Sequence, residues 1–283
     1  MHGDQPPLHR NAVGLMRHPE HVKPRSVVLD LAGDYIRYHD GVIALGAMTE
    51  LLGAFDVSDD NVRVLMSRLR REGFFQTQRQ GRTTEYVLAP DILQLLDEGR
   101  ERIFARHPDA WDGTWHMVIY QVPEIARASR ERLRTGLSWL GFGALAPSTW
   151  MSARDRRVQV RELLGRESEA RFDQVTARSE GAAQDRDLAA RCWDLRQLAE
   201  DYRAWIDAWR DLDPDGMDDK QALVQRTRLV YSYRKFPFAD PDLPSALTPG
   251  GWPGTEAHSL FLALYDALGA PAQRWFRKVI GED

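Results

Sequence analysis

Cysteine is almost absent from this chain of 283 residues, which contains only Cys192. A single cysteine cannot form an internal disulfide bond, so the fold has to be stabilised by its own apolar core. No run of about 18 apolar residues is present, which excludes a membrane-spanning helix. No apolar signal segment follows Met1. Together these absences predict a cytoplasmic protein with no membrane partner.

The motifs of the common enzyme classes are also missing. There is no Gly-Lys phosphate-binding loop, no set of cysteines at zinc-binding spacing and no Gly-x-Ser-x-Gly nucleophile motif. Hydrophobic residues make up 43% of the chain and charged residues 28%, which is typical of a globular protein and excludes global disorder. We therefore predict a folded protein that is not an enzyme and that has no cofactor and no catalytic metal.

The chain is slightly acidic overall, but its positive charge is locally concentrated. The net charge of −4 excludes a uniformly basic protein that coats nucleic acid. Between Asn61 and Tyr86, however, six arginines face only two acids, Glu72 and Glu85. A local basic stripe of this kind is typical of a DNA-binding surface, although a solvated helix face also carries such charge.

The segment that contains these arginines has the pattern of a small DNA-binding module. Apolar periodicity predicts helices over Ser26–Tyr38 and Ala47–Phe55, and a third helix that starts with Ser58 as N-cap and ends at Glu72. Two β-prone runs within 74–88 flank a glycine-containing turn, which predicts a hairpin. Three helices followed by a hairpin with a basic tip predict a winged helix-turn-helix.

The third predicted helix has two different faces. Val62, Met66 and Leu69 lie on an apolar stripe that faces the core, and the opposite face carries arginines and a serine. Guanidinium groups suit phosphates and guanine edges in the major groove. The predicted DNA-contacting residues are Ser58, Arg63, Val64, Ser67, Arg68, Arg71 and, at the tip of the hairpin, Arg79 and Arg82. The same elements would also serve a module that binds only proteins.

The middle of the chain predicts a compact mixed unit. Strand, helix, strand, helix and strand patterns follow one another over residues 114–122, 125–140, 148–152, 156–164 and 170–177. This order predicts a small ferredoxin-like unit. All nine tryptophans lie beyond residue 110, which separates the core chemistry of this part from that of the N-terminal part.

The C-terminal part is predicted to be mostly helical. The pattern predicts one helix over Asp185–Arg210, a second over Gln221–Arg234, a rigid extended proline-rich stretch, and a final helix capped by Thr255. The predicted class is therefore α+β. Its predicted domains are a flexible tail (1–24), a winged helix-turn-helix (25–107), a ferredoxin-like dimerisation or sensing unit (108–180) and a helical C-terminal domain (181–283).

Several segments together resemble a known family. Trp111–His116 and Leu140–Gly143 lie in the middle unit, and Tyr233–Phe236, Asp240–Pro244 and Trp252–Gly254 follow in the C-terminal part. In this order they resemble the PaaX-type regulators, the repressors of phenylacetic acid degradation. The resemblance implies a homodimeric repressor that binds double-stranded operator DNA of an aromatic-acid catabolic operon. It also implies release by an aryl-acyl-CoA effector.

Two further expectations concern ligands. The middle unit resembles the small ferredoxin-like nuclease of the CRISPR adaptation machinery, but Gln121 stands where that family has a metal-binding aspartate. A metal-dependent nuclease and a non-DNA-binding interaction module remain as alternative functions. A CoA phosphate needs Arg or Lys and an aryl group needs an aromatic slot. The predicted effector-binding residues are accordingly Arg226, Tyr233, Arg234, Lys235 and Trp252, although a structural contact would use the same residues.

Overall fold

The computed structural model describes residues 22–81, 83–105, 110–123, 125–165 and 170–282. The predicted tail up to residue 21, the hairpin residue Arg82 and the predicted break at 107–109 lie outside these described residues. Within them, helices and two small antiparallel sheets confirm the predicted α+β class. No helix in this described part is both long and apolar enough to span a bilayer.

Helices and strands alternate in the first two thirds of the chain, and helices alone follow. In chain order the elements are α1 (Pro24–Asp34), β1 (Val42–Ala44), α2 (Leu45–Gly53), α3 (Asp59–Arg71), β2 (Phe75–Gln80), β3 (Thr83–Leu88), α4 (Pro90–Phe104), β4 (Trp115–Gln121), α5 (Arg127–Trp139), β5 (Gly143–Ala146), β6 (Thr149–Ser152), α6 (Arg157–Gly165), β7 (Arg171–Ala177), α7 (Ala182–Cys192), α8 (Leu195–Trp209), α9 (Asp219–Tyr233), α10 (Phe236–Ala239), α11 (Gly254–Ala267) and α12 (Gly269–Ile280).

The chain divides into two compact units that do not follow the order of the sequence. The first unit contains the described residues of Met1–Ala105, Asp201–Lys235 and Thr255–Asp283, and the second those of Arg106–Glu200 and Phe236–Gly254. The C-terminal third therefore contributes to both units. The predicted domains are, in contrast, contiguous stretches of sequence.

The N-terminal part of the first unit contains the three predicted helices and the predicted hairpin, each within a few residues of its expected bounds. The sheet is antiparallel with the order β1-β3-β2. Gly73 ends α3 in the left-handed region at φ +82, which lets the N–H of Phe74 donate to the carbonyl of Leu69 at 2.9 Å. The hairpin of β2 and β3 thus leaves α3 at a fixed angle. The short strand β1 and the helix α4 were not predicted.

The part of α8 from Asp201 onwards and the helices α9, α11 and α12 complete the first unit. The capping box of Asp218 and Gln221 starts α9, because each side chain accepts a hydrogen bond from the backbone N–H of the other residue. The ring of Tyr233 stacks on Phe261 at a centroid distance of 4.1 Å. The indole N–H of Trp205 donates to Oγ of Ser232 at 2.9 Å. Aromatic packing and satisfied polar groups therefore bind these helices together.

The second unit is built around a four-stranded antiparallel sheet with the order β5-β6-β4-β7. Helices α5 and α6 connect its strands in the sequence β4-α5-β5-β6-α6-β7. One face of the sheet packs on these helices through Val118, Tyr120, Leu133 and Leu137. A second core contains Trp115, Met151 and Leu195, with the partly buried side chains Trp111, Trp193 and Trp252 packed against it.

The single helix predicted over Asp185–Arg210 is wrong, because the chain breaks between α7 and α8. Trp193 is extended, with φ −136 and ψ 142, and the carboxylate of Asp194 accepts a hydrogen bond from the N–H of Gln197. Trp193 also packs so closely on Gly143 that a Cβ atom there would lie 2.6 Å from its ring. This contact across the sequence outweighs the continuous helical periodicity of the segment.

Two smaller expectations for the C-terminal part also need correction. The proline-rich stretch is not wholly extended, since it contains the short helix α10 and a 3-10 turn over Ser245–Leu247. The helix that begins near Thr255 is not the last one, because α12 follows after Leu268. Its apolar side chains Ala272, Trp275 and Phe276 are buried.

Candidate nucleic-acid interface

Helix α3 presents an arginine-rich face to solvent. Val62, Met66 and Leu69 are fully buried on one side of the helix, as the sequence predicts. The opposite side is open, and Val64 in its middle is 68% exposed. Ser58 occupies the N-cap position, but its side chain makes no capping hydrogen bond. The first turn is acidic and the last turn basic, so both ends of α3 complement the helix dipole.

Two of the predicted DNA-contacting arginines are held by acids at the two ends of α3, Asp60 in its first turn and the C-cap residue Glu72. Nη1 of Arg63 lies 2.9 Å from Oδ1 of Asp60, and Nε of Arg68 lies 2.8 Å from Oε1 of Glu72. Exposed pairs of this kind contribute little stability, but they limit the directions that a long side chain takes. Arg71 makes no side-chain hydrogen bond or ion pair with the described residues, and its guanidinium is exposed.

Arg25 joins this surface, although sequence reasoning did not include it. Its guanidinium donates a hydrogen bond to Oε2 of Glu72 and lies over the ring of Phe74, 4.9 Å from the centroid. Hydrogen bonds from Arg25 and Arg68 hold the pKa of Glu72 below its usual range. Arg25 and Glu72 are 47 residues apart, so no local pattern in the sequence indicates this contact.

The hairpin carries the second predicted group of cations. Strands β2 and β3 are paired from Phe75↔Leu88 to Gln80↔Thr83, and Gly81 turns the chain at φ +61. Arg79, next to this turn, is exposed and has no side-chain hydrogen bond or ion pair with any described residue. Arg82 lies outside the described residues. The described part of the hairpin thus leaves Arg79 accessible to a polyanion.

The predicted effector residue Arg226 is buried inside the first unit. Its Nε donates to the carbonyl oxygen of Tyr265 at 3.2 Å and its Nη1 to the hydroxyl of Tyr35 at 3.1 Å. The guanidinium carbon lies 3.7 Å from the centroid of the Tyr265 ring. The Tyr265 hydroxyl in turn donates to Oδ1 of Asp34 at 3.1 Å. Arg226 is therefore part of a buried polar network that links α1, α9 and α11.

The other predicted effector residues do not all lie together. Tyr233 is buried and its hydroxyl is 3.0 Å from Nδ1 of His258. Arg234 faces Asp30, and Nζ of Lys235 lies 4.4 Å from the centroid of the Tyr231 ring. These residues belong to the first unit, whereas Trp252 belongs to the core of the second unit.

Asp30 is a buried carboxyl of this region with a strongly raised pKa. Its side chain is 5% exposed, and burial raises its pKa to about 7 despite the opposing charge of Arg234. Nε of Arg234 lies 3.0 Å from Oδ1 of Asp30, but the N–H is poorly aligned for a hydrogen bond. Oδ2 of Asp30 has no hydrogen-bond partner among the described residues. Burial therefore outweighs the ion pair, and the neutral carboxyl is favoured.

This burial predicts a pH dependence of stability. The unfolded chain releases the Asp30 proton near pH 3.8, whereas the folded protein keeps it up to about pH 7. The folded state binds more protons in this window, so the free energy of unfolding falls as the pH rises from 4 to 7, by at most about 1.4 kcal/mol per pH unit from this group. We expect Asp30→Asn to flatten that fall in urea titrations, and Asp207→Asn, an exposed control in the same unit, to leave it unchanged. Equal slopes for the wild type and Asp30→Asn would contradict this prediction.

Three family models match most of the chain. A model described as PaaX-like protein matches residues 23–91, one described as PaaX protein central Cas2-like domain matches 108–189, and one described as PaaX-like protein C-terminal domain matches 193–278. The chain belongs to the PaaX family. The resemblance stated from the sequence segments is thereby confirmed.

Two similar proteins were found, one by sequence and one by structure. The Transcriptional repressor PaaX of Escherichia coli (strain K12) is 29% identical over 271 residues, which cover 92% of this chain and 85% of the relative. A solved structure, the Uncharacterized protein Rv0674 from Mycobacterium tuberculosis, has a TM-score of 0.64 at 23% identity and covers 90% of this chain and 99% of that chain. The second similarity shows the fold alone. Because the Escherichia coli relative is a repressor, the prediction that this chain is not an enzyme is confirmed.

The Cas2-like segment of this PaaX-family chain has a neutral residue where a nuclease would need an acid. Gln121 ends β4 and pairs in register with Arg171 of β7. An amide is a poor substitute for a carboxylate toward a hard divalent cation. Throughout the described ranges, no group of three or more His, Cys, Asp or Glu side chains is placed to hold a metal ion.

Cys192 is half-buried, and burial raises the pKa of its thiol to about 11. A thiol of this kind packs in the core and is a poor nucleophile.

Proposed function

We propose that this PaaX-family chain is a DNA-binding transcriptional repressor of an aromatic-acid catabolic operon, of the phenylacetate type, which an aryl-acyl-CoA effector releases. The observation that carries the proposal is the exposed face of α3, where arginines surround Val64 while the other side of the helix is buried. The relationship to a transcriptional repressor supports the same function. The aryl-acyl-CoA effector is what membership of the family implies.

In this proposal the N-terminal part of the first unit is a winged helix-turn-helix. Helices α2 and α3 form the turn unit, α3 enters the major groove, and the β2–β3 hairpin is the wing. Arg63, Ser67 and Arg68 face base edges, and Arg71 completes the same surface. Arg79 and Arg82 of the wing add contacts to the phosphate backbone or the minor groove. Arg25 and Arg68 both donate hydrogen bonds to the carboxylate of Glu72, so Arg25 extends the basic surface.

The second unit is, in this proposal, a ferredoxin-like dimerisation unit. Its β-α-β-β-α-β order and antiparallel sheet fit that fold. Ile119 and Val175, on the face of the sheet opposite α5 and α6, are 39% and 41% exposed. Arg171 and Asp173 lie on the same face of the edge strand β7. If two copies met at this face across a two-fold axis, Arg171 of each copy would lie against Asp173 of the other. This complementarity favours a second copy of this chain as the partner that covers the face.

The dimer proposal has a direct test. We expect Ile119→Asp to convert the dimer into a monomer, because the new carboxylate would be buried without a partner at the centre of the interface. Light scattering coupled to gel filtration measures the mass. Val158→Asp is the matched control, since Val158 is an exposed valine on α6. A dimer that survives Ile119→Asp would rule out this sheet face as the interface.

The proposed function is tested with DNA from directly upstream of the protein's own gene neighbourhood. The expected result is selective binding over a scrambled fragment, with affinity that falls as salt rises, and release by one aryl-CoA thioester. The effector must bind the DNA-free conformation more tightly, because equal affinity for both conformations shifts nothing. Selective binding that no thioester releases would retain the repressor and reject the effector. An absence of salt-dependent, selective binding would reject the repressor and favour an interaction module.

A further inference from the structure

The second unit contains a cleft of about 420 Å³ that none of the predicted site residues lines. Its walls are Ala110, Trp111 and Asp112 on one side and Ala153, Arg154 and Asp155 on the other. The volume lies within the range of small-molecule sites, and it combines an aromatic wall with a guanidinium group. Residues 110–112 precede β4, and residues 153–155 follow directly after β6.

The aromatic wall of the cleft is rigid. Nε1 of Trp111 donates to the carbonyl oxygen of Thr114 at 3.1 Å, which fixes the plane of its ring. The Trp111 ring packs edge-to-face on Trp115 at 5.2 Å, and Nε1 of Trp115 donates to the buried carboxylate of Asp185 at 2.7 Å. A ring that is held by two such contacts loses little entropy when a ligand stacks on it.

The guanidinium of Arg154 is held equally firmly. Its Nε and Nη2 donate to the carbonyl oxygen of Asp242 at 3.3 and 3.0 Å, and its side chain is 16% exposed. Asp242 has a φ of +51, in the left-handed region that a non-glycine residue rarely adopts, and its N–H donates to Oδ1 of Asp240 at 2.7 Å.

The two acids of the cleft already have partners. Arg157 donates to both carboxylate oxygens of Asp155. The carboxylate of Asp112 accepts a hydrogen bond from the N–H of Thr114. His116 lies next to the cleft, with its Nδ1 4.0 Å from Oδ1 of Asp155. That Nδ1 is buried and has no hydrogen-bond partner among the described residues. Because side chains alternate along β4, His116 shares its face with Val118 and not with Trp115, so this atom does not line the cleft.

We propose that this cleft binds a planar aromatic group that carries a carbonyl or carboxylate oxygen. The ring stacks on Trp111, and the oxygen accepts a hydrogen bond from the guanidinium of Arg154 in the wall of the cleft. The cleft is then the effector site of the proposed repressor, and only this regulatory assignment rests on the proposed function. The ligand chemistry is shared by a free aryl acid and by an aryl-acyl thioester, so both have to be tested.

The test labels the full-length protein with 5-fluorotryptophan and follows its fluorine NMR spectrum during titration. The probes are phenylacetate, phenylacetyl-CoA and cyclohexylacetate, which has the acid but no aromatic ring. Trp111→Phe assigns the resonance of Trp111. The expected result is a shift of that resonance with an aryl probe and none with cyclohexylacetate. Tighter binding of phenylacetate would identify a free aryl acid as the ligand, and tighter binding of phenylacetyl-CoA would identify an aryl-acyl thioester.

A variant series locates the site independently of the spectrum. Arg154→Gln should weaken binding of the aryl probe by about tenfold, because a hydrogen bond from a charged donor is lost. An unchanged thermal midpoint shows that this variant is folded. Lys235 is one of the effector-binding residues predicted from the sequence, and it lies in the first unit. Lys235→Ala should therefore leave binding of the aryl probe to the cleft unchanged. Loss of binding in Lys235→Ala with full binding in Arg154→Gln would overturn the proposal.

The outcome for the cleft is separable from the outcome for the repressor. Upstream DNA is titrated with the same samples. DNA binding without any shift of the Trp111 resonance by either aryl probe would overturn the cleft and leave the repressor standing. A Trp111 shift in a protein that fails to bind DNA selectively would support the cleft as a ligand site and overturn its regulatory role.

Discussion

Arg68→Ala and Arg71→Ala are each expected to weaken binding to the operator by roughly 5- to 150-fold, which corresponds to about 1–3 kcal/mol for a lost base contact. Both side chains are exposed on α3 and pack against no core residue. The variants should therefore remain folded, with unchanged thermal midpoints. Fluorescence anisotropy with a labelled operator fragment measures the affinity, and substituted fragments show whether discrimination at one base pair is relaxed.

The control for these variants is another exposed arginine with a similar partner. Arg196 on α8 pairs with Glu200 four residues later, as Arg68 pairs with Glu72. Arg196→Ala removes the same charge and the same type of pair from a different helix, and we expect its operator affinity to stay close to that of the wild type. Wild-type affinity in both Arg68→Ala and Arg71→Ala would exclude this face of α3 as the surface that reads DNA.

Arg226→Leu is expected to destabilise the protein by about 3–5 kcal/mol, because it removes the cation from a buried network. Burial raises the pKa of Asp34, and the charge of Arg226 is the largest factor that opposes this rise. Without Arg226 the Asp34 carboxylate is left poorly compensated, and the hydroxyl of Tyr35 loses its donor. Urea denaturation followed by circular dichroism measures the loss.

A second substitution separates the charge effect from a packing effect. In Arg226→Leu/Asp34→Asn the carboxylate is gone as well, so part of the lost stability should return, with a coupling free energy of about 0.5–3 kcal/mol. Arg203→Leu, at an exposed position of α8, should change stability by no more than about 0.5 kcal/mol. Near-wild-type stability of Arg226→Leu would show that Arg226 is not structural and would support a role for it in binding the effector.

The fold was predictable from the sequence where it depends on residues that are close together along the chain. The faces of α3 follow from the spacing of Val62, Met66 and Leu69, and its end follows from Gly73, so both were predictable. The break at Trp193 was not, because it depends on contact with Gly143, 50 residues earlier. Strand β1 has only three residues, too few to show an alternating pattern, and it exists because β3 pairs with it.

The same distinction applies to the candidate sites. The arginines of α3 were predictable because they share one helix face, whereas Arg25 reaches that surface only through the fold. Arg226, Arg234 and Lys235 were selected for charge near aromatic residues. The sequence could not show that Tyr35 and Tyr265, 191 residues before and 39 residues after Arg226, already take up its hydrogen bonds.

Photo-cross-linking from position 64 tests whether α3 lies in the major groove of the operator. Val64 lies in the middle of the exposed face of α3, so a benzoylphenylalanine placed there would meet the floor of the major groove. We expect cross-links to bases of the bound operator fragment from position 64 and none from position 158, an exposed valine on α6. Bound operator that cross-links from neither position, or equally from both, would contradict the placement of α3 in the groove.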